Sequence, residues 1–317
     1  MITAVQEEKV AKSLEEKLEG LAVEIRYGAP LSEFTTFQIG GPADALALPR
    51  GEEELLALIA RCREERLPIS LLGGGANTLV LDGGVRGVVI SPALGFREVE
   101  ITEEGPKGAL LDAGAGAKIP SVARLAAERG LTGLECVFGV PGTVGGALAM
   151  NAGTAERYIG EAVESVRWIP FAGDGVERLP AGRLSFAYRQ TVFPGEGIVL
   201  GVRFRLGRGD AEDLLARLRE NAAARRERQP TGLPCAGSIF RNPPDDRAGR
   251  LIEEAGLKGR RVGGAEVSRV HANFLVNTGG ATAADVLALI GEVQAAVRER
   301  HGVDLALELK VMGEEAP

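Results

Sequence analysis

The clearest pattern in the chain lies near residue 200, where Ile198, Leu200, Val202, Phe204 and Leu206 alternate with positions that include Gly201, Arg203 and Arg205. A period of two puts the five apolar side chains on one face, which predicts a strand over about 198–206 with that face in a core. Helical spacing replaces alternation over 52–66, where Leu55, Leu58, Ile59 and Cys62 share a face. After Pro68 the apolar run Ile69 to Leu72 predicts a buried strand, which ends in Gly73-Gly74-Gly75-Ala76-Asn77. No helix is expected next, because Thr78 to Gly84 leads into a second strand over Gly87 to Ile90. A Rossmann-type dinucleotide fold needs Gly-x-Gly-x-x-Gly opening a helix, and a Walker loop needs Gly-Lys-Ser/Thr; neither occurs here.

Further strands are predicted near 97–102, 108–113 and 162–170. The small-residue run Ala113-Gly114-Ala115-Gly116-Ala117 follows the second of them, before a helix marked by Pro120 at its start and Gly130 just past its end. From Asp210 to Arg228 the pattern is helical, and Gln229 to Pro234 reads as a connection. Thr282 and Asp285 form a capping-box pattern for a helix running to about Arg300. The last stretch alternates again, with Leu305, Leu307, Leu309 and Val311 on one face and Ala306, Glu308 and Lys310 on the other. There is no internal repeat. The fold class expected is α+β, with glycine loops between strands in the first two-thirds and a smaller α/β unit after about 208.

Between Gly133 and Gly153 the chain is too glycine-rich for a packed helix and too apolar for a solvated linker. Gly139, Gly142, Gly145, Gly146 and Gly153 can take positive φ and leave amide N–H groups open to an anion, which predicts a bound dinucleotide.

Composition narrows the class. At 317 residues the chain exceeds one ordinary core, so two or three subdomains are expected. No apolar run approaches the ~20 residues of a bilayer span, and the charged start from Met1 to Gly20 reads as helical and lacks a signal-peptide pattern, so a cytoplasmic protein is expected. Cys62, Cys136 and Cys235 are far apart and only His271 and His301 supply imidazoles, which suggests neither a disulfide framework nor a metal site. A net charge of −7 argues against broad nucleic-acid binding. Asn occurs six times, and five of these (Asn77, Asn151, Asn242, Asn273, Asn277) lie in Gly- or Pro-marked segments or beside a histidine. Such placement suggests amides with specific hydrogen bonds, with local Asx turns as the alternative.

Several motifs together carry a family resemblance. Thr35-Thr-Phe-Gln-Ile-Gly-Gly-Pro-Ala-Asp44, Gly73 to Asn77, Gly133 to Gly153, Tyr188-Arg-Gln-Thr-Val-Phe193, Ala236-Gly-Ser-Ile-Phe-Arg-Asn-Pro243 and His271-Ala-Asn-Phe-Leu-Val-Asn277 occur in this order. In this the chain resembles the UDP-N-acetylenolpyruvoylglucosamine reductases, also called UDP-N-acetylmuramate dehydrogenases, over about 30–312. The resemblance implies a two-subdomain FAD-binding fold of the vanillyl-alcohol oxidase type plus a C-terminal α/β substrate domain. Its parts would be an N-terminal helix (1–20), FAD subdomains over 21–90 and 91–207, a substrate domain over 208–303, and a C-terminal strand, 304–317, returning to the site. Only 49 positions separate Arg189 from Ser238, which looks like the shorter, loop-less type of the family.

The implied reaction passes a hydride from NADPH to non-covalent FAD and then to the enolpyruvyl double bond of a UDP-sugar in peptidoglycan-precursor synthesis. No membrane insertion and no obligatory oligomer are implied. Arg189 and Glu308 match the positions that stabilise the substrate carboxylate as it takes up charge, and Ser238 matches the proton donor. Gly73, Gly74, Gly75, Ala76, Asn77, Gly114, Gly139, Pro141, Gly142, Gly145 and Gly146 would line the cofactor cleft, and Tyr188, Arg228 and Asn242 would contact substrate. Read without the resemblance, Arg189 is a surface arginine at a strand end and Ser238 a turn serine. Period two turns Glu308 to solvent, Arg225 to Arg228 is a solvated helix face where the resemblance implies contacts to substrate phosphate or NADPH, and Asn242 belongs to a proline-flanked turn. Ala76 and Val270 stand where the family commonly has serine and lysine. The rivals are an oxidase of another alcohol or sugar on the same fold, and a binder of FAD or nucleotide-sugar that has lost the chemistry.

Overall fold

The computed structural model of the chain describes residues 13–154 and 156–316. Of the charged N-terminal segment expected to be helical, residues 13–18 are helical and the first twelve lie outside the described residues. The opening sheet has the order β1-β2-β5-β3, formed by β1 (Ile25–Pro30), β2 (Pro42–Ala47), β3 (Ile69–Leu71) and β5 (Val85–Ile90). The helical pattern after residue 52 forms α1 (Glu52–Glu64), which turns Leu55, Leu58, Ile59 and Cys62 inward as its spacing requires. Between β3 and β5 the chain makes the Gly73–Asn77 loop and the short β4 (Thr78–Val80), and no helix.

The strand after Pro68 is present but is not buried: Leu71 is 42% exposed, and only Leu72 is fully enclosed. A short run without alternation does not say whether it is covered on both faces. Here β3 is the edge of its sheet and borders an open cleft.

A second sheet has the order β10-β9-β13-β7-β6 and is antiparallel throughout. Its strands are β6 (Val99–Gly105), β7 (Gly108–Gly114), β9 (Val163–Pro170), β10 (Glu177–Pro180) and β13 (Gly197–Arg208), with β8 (Leu131–Thr132) attached to the end of β13. The five alternating residues of β13 are all buried. They do not serve one core: Ile198 and Leu200 pack with α1, whereas Val202, Phe204 and Leu206 pack under α2 (Ile119–Glu128). A register shift at Val199/Gly201 falls where the strand passes from one cluster to the other, and a second at Arg203/Phe204 follows within the second. The central glycine segment contains a 3-10 turn at Glu135–Val137 and one short α-helix, α3 (Val144–Ala149), N-capped by Thr143. The hairpin of β11 (Ser185–Ala187) and β12 (Gln190–Val192) follows, with Tyr188 and Arg189 as its two-residue turn.

The last third contains α4 (Ala211–Arg228), α5 (Ala248–Glu254), α6 (Ala283–His301) and a sheet of order β14-β17-β16-β15, from β14 (Cys235–Ser238), β15 (Arg261–Val262), β16 (Ala265–Val267) and β17 (Phe274–Asn277). The capping box at Thr282 and Asp285 forms as its sequence predicts. The C-terminal alternation yields only three strand residues, β18 (Lys310–Met312), in parallel with β4. Leu305 and Leu309 are buried, but Val311 is 39% exposed, because the chain leaves the apolar core at Lys310 to pair with β4.

The core of the last third includes Phe37, Ile39 and Leu79 from the first, so the two regions share one apolar cluster. Polar ties reinforce it. Thr36 Oγ1 donates to the Cys235 carbonyl at 2.7 Å, and Asn277 Nδ2 donates to the Phe37 carbonyl at 3.2 Å. Asp82 accepts from both the Ala283 and Ala284 amides at 2.8 and 2.9 Å, capping α6 from outside its own region. Orphan amides at a helix start favour a carboxylate, and losing such a cap costs about 1 kcal/mol. Asp82→Ala is therefore expected to lower unfolding free energy by about 1–2 kcal/mol in urea titration, with Asp82→Asn recovering at least half of the loss.

Candidate active site

Two glycine loops form the floor of a cleft of ≈ 1480 Å³. The Gly73–Asn77 loop enters from β3, and the Gly139–Gly146 segment enters from the second sheet region. They meet closely: a Cβ on Gly74 would lie 3.3 Å from Thr143 Cγ2 and 3.4 Å from Gly142 Cα. Gly75 has φ +62° and any Cβ there would run into the Phe34 carbonyl oxygen, so this position has to be glycine. Gly139 and Gly142 also take positive φ, at +72° and +111°. Among the described residues, none of the five amide N–H groups from Gly73 to Asn77 donates to another protein atom. A run of open amides on bare backbone is a fitting cradle for the diphosphate of a dinucleotide.

Gly73, Gly74, Gly75, Ala76, Asn77, Gly139, Pro141, Gly142, Gly145 and Gly146 all line the cleft, as expected for them. Gly114 does not. Its missing side chain instead allows close approach to the Phe96 carbonyl, and Ala115 faces the cavity in its place.

Three groups from distant parts of the chain also reach this cleft. Ser238 is the last residue of β14. Arg189 is the second turn residue of the β11–β12 hairpin and holds φ +57°, a strained conformation for a long side chain. The turn is secured from below by Asn151, whose amide donates to the Ala187 carbonyl at 3.0 Å. Glu308 comes from the C-terminal run, where its amide donates to the Ile239 carbonyl at 2.8 Å and its carbonyl accepts from Asn77 Nδ2 at 3.1 Å.

Arg189 Nε lies 3.0 Å from Glu308 Oε1. Its N–H is not aligned on that oxygen, so the pair is held by charge more than by a formed hydrogen bond. The Glu308 side chain is only 14% exposed, which corrects the solvent-facing orientation that alternation alone predicts. The reason is local: Ala306 and Lys310 on the same face are exposed as alternation predicts, whereas position 308 alone is covered by the cleft wall and Arg189. Burial pushes the Glu308 carboxyl above the usual range, opposed by the charges of Arg189 and Arg241.

Arg225 belongs to the arginine-rich helix end that the resemblance sets against substrate phosphate or NADPH, with Arg228 as its named member. It sits in a run of arginines that reads as a solvated face, yet it lines the cleft beside Gly139, and burial followed by the Arg189 charge lowers its pKa. Nothing in the local pattern separates it from Arg226 and Arg228 except the last turn's orientation. Arg228, the member expected at the substrate, is exposed and outside the cleft wall, as the helix ends there and turns it outward. Tyr188 stands on the outer side of the turn, under the Arg189 guanidinium at 5.4 Å and edge-on to Tyr158. Asn242 accepts from the Ala248 amide at 3.1 Å at the start of α5 and does not line the cavity.

Comparison with known proteins identifies this arrangement. The family profile described as "FAD binding domain" matches residues 43–176, and that described as "UDP-N-acetylenolpyruvoylglucosamine reductase, C-terminal domain" matches 229–312. The UDP-N-acetylenolpyruvoylglucosamine reductase of Moorella thermoacetica is 45% identical over 93% of this chain and 95% of its own length. That of Desulfosudis oleivorans is 44% identical over 92% and 95%. The crystal structure of the Thermus caldophilus reductase, 39% identical, superposes with a TM-score of 0.76 and covers 92% of this chain and 99% of its own. The expected fold, an FAD-binding part followed by a domain peculiar to these reductases, is the one found. The chain belongs to the UDP-N-acetylenolpyruvoylglucosamine reductase family.

Proposed function

We propose that this chain uses NADPH to reduce the enolpyruvyl group of UDP-N-acetylenolpyruvoylglucosamine, giving UDP-N-acetylmuramate for peptidoglycan synthesis. The observation that carries this reading is the meeting of Ser238, Arg189 and Glu308 in one cleft floored by two glycine loops with open amides. Residues 21–90 and 91–207 are read as the two halves of the FAD-binding part, 208–303 as the substrate part and 304–317 as the returning strand. Only β12, β13 and α4 intervene between Arg189 and β14, which supports the shorter of the two family types. One chain supplies all three side chains, so a monomer suffices. NADPH and nucleotide-sugars meet in the cytoplasm, to which we assign the enzyme.

FAD, when bound, relays a hydride from NADPH to the double bond of the substrate. Its diphosphate would be held by the amides of Gly73–Asn77, and its rings along Gly139–Gly146, where absent side chains leave room. Neither His271 nor His301 lines the cleft, which supports non-covalent binding.

An enol ether is electron-rich and resists hydride, so the substrate carboxylate has to take up charge as the hydride adds to one carbon of the double bond. Arg189 supplies the cation for that carboxylate. Its strained turn and its cover by Tyr188 restrict the guanidinium before substrate arrives, which lowers the cost of ordering it. Glu308, held toward its neutral form by burial, donates a hydrogen bond to the same charge. The other carbon is then basic enough to take the Ser238 hydroxyl proton, which completes the saturated ether.

Ser238→Ala is expected to leave flavin reduction by NADPH within about twofold while slowing reoxidation by the enolpyruvyl substrate by roughly a hundredfold or more in stopped-flow absorbance. Unchanged reoxidation removes Ser238 from the mechanism. Visible spectra of the purified protein should show flavin bands that bleach on adding NADPH and return on adding substrate. A colourless protein that cannot be loaded with FAD, or oxygen-driven turnover of another alcohol, sinks the assignment. Gly75→Ala should lose most of its flavin on gel filtration, whereas Gly105→Ala, with nothing within 4 Å of the added carbon, should retain it.

A further inference from the structure

Asn77 ends the Gly73–Asn77 loop, and its polar groups are put to separate uses. Its amide N–H is one of the open donors of the loop. Its carbonyl accepts from the Lys310 amide at 3.0 Å, and its side-chain Nδ2 donates to the Glu308 carbonyl at 3.1 Å. The same Nδ2 lies 3.6 Å from Met150 Sδ, a weak acceptor on the cleft wall. The bond to Glu308 spans 231 positions of sequence, so no local Asx turn accounts for it.

Glu308 is short of other holds. It precedes β18, which begins only at Lys310, so no strand pairing fixes its backbone. Its amide is taken by the Ile239 carbonyl at 2.8 Å, and its carbonyl accepts from Asn77 and from no other group among the described residues. Another tie between this part of the chain and the last third, from the Thr36 hydroxyl to the Cys235 carbonyl, ends at the start of β14 and leaves the Glu308 run untouched. Because Asn77 grips the backbone of Glu308 and not its carboxyl, the two carboxyl oxygens stay available to Arg189 and to the cleft.

On the function proposed above, on which this inference rests, Glu308 has to meet charge that develops on a substrate lying against the flavin. A misplacement of about 1 Å in such a contact costs up to a hundredfold in rate. The flavin is seated by its diphosphate on the very loop that Asn77 ends. We propose that Asn77 is the positioning residue of Glu308: its side chain fixes the backbone that carries the carboxyl to the loop that receives the cofactor. Ring and carboxyl are thus located from one origin, although their own segments lie at opposite ends of the chain. The open amide of Asn77 serves the cradle and its side chain serves the acid, so the two roles separate by substitution.

The test uses the FAD-loaded enzyme and two variants that keep the backbone amide at 77. Asn77→Ala removes the side-chain amide, and Asn77→Leu restores its bulk without its donor. In both, hydrogen exchange read by mass spectrometry should quicken several-fold in peptides covering 306–312, with exchange in α6 unchanged. Reoxidation of the reduced flavin by the enolpyruvyl UDP-sugar should slow by about tenfold or more at saturating substrate, a loss in limiting rate and not in half-saturation. Flavin reduction by NADPH and the FAD dissociation constant should each stay within about threefold, because the amide that serves the cradle remains. Wild-type exchange at 306–312, or wild-type reoxidation, in either variant overturns the proposal. So does FAD affinity that falls further than that in both, since the side chain would then serve the cofactor and not Glu308. A Glu308→Gln enzyme that reoxidises at the wild-type rate would instead refute the role of Glu308 itself, a separate failure read on a separate variant.

Discussion

The site depends on how one stretch of backbone is clamped. Residues 306–310 lie between the end of β14 and the Asn77 loop and are hydrogen-bonded to both: Glu308 and Leu309 donate to the Ile239 carbonyl, Lys310 donates to the Asn77 carbonyl, and Asn77 returns a bond to the Glu308 carbonyl. Because that run is fixed from both sides, Glu308 is brought into a cleft whose other walls come from elsewhere. Asn77 therefore has two duties. Its amide N–H belongs to the open loop, and its side chain holds the backbone carbonyl of Glu308.

This clamp also explains why buried charge is tolerated. A carboxyl that is mostly removed from water is costly unless it is paired or neutral. Here it is partly both, since burial raises its pKa while two arginines oppose the rise. Arg189 brings its own cost, a left-handed backbone conformation at a long side chain. The hairpin beneath it absorbs the strain through Asn151, which both supports Ala187 and accepts from the Gly160 amide. Asn151 itself holds φ +40°, so two of the left-handed non-glycine residues lie together at the hairpin turn.

Much of the architecture was legible in periodicity. The β13 alternation, the α1 face and the α6 capping box each formed as their residues require, since each is decided by local spacing. Of the first sheet β3 and β5 were read, but β1, β2, the neighbouring β4, the β11–β12 hairpin and the last sheet were not, because two to six residues are too few for a period to declare itself. The scarce asparagines were informative: Asn77, Asn151, Asn273 and Asn277 all bond backbone far away in sequence, beyond the reach of an Asx turn. The site was legible only through motif resemblance. Alternation turned Glu308 the wrong way, and charge runs could not tell Arg225 from Arg228, because both questions are decided by what packs across the cleft.

The pairing of β18 with β4 joins residues more than two hundred positions apart. Closing so long a loop is entropically slow, and synthesis runs from the N-terminus, so β4 has to wait for a partner that is translated more than two hundred residues later. Glu308, two residues before β18, arrives with that partner. The region matched by the FAD-binding profile, 43–176, is thus synthesised well before the segment that brings a carboxyl into its cleft, so the two sides of the site meet only late in the folding order.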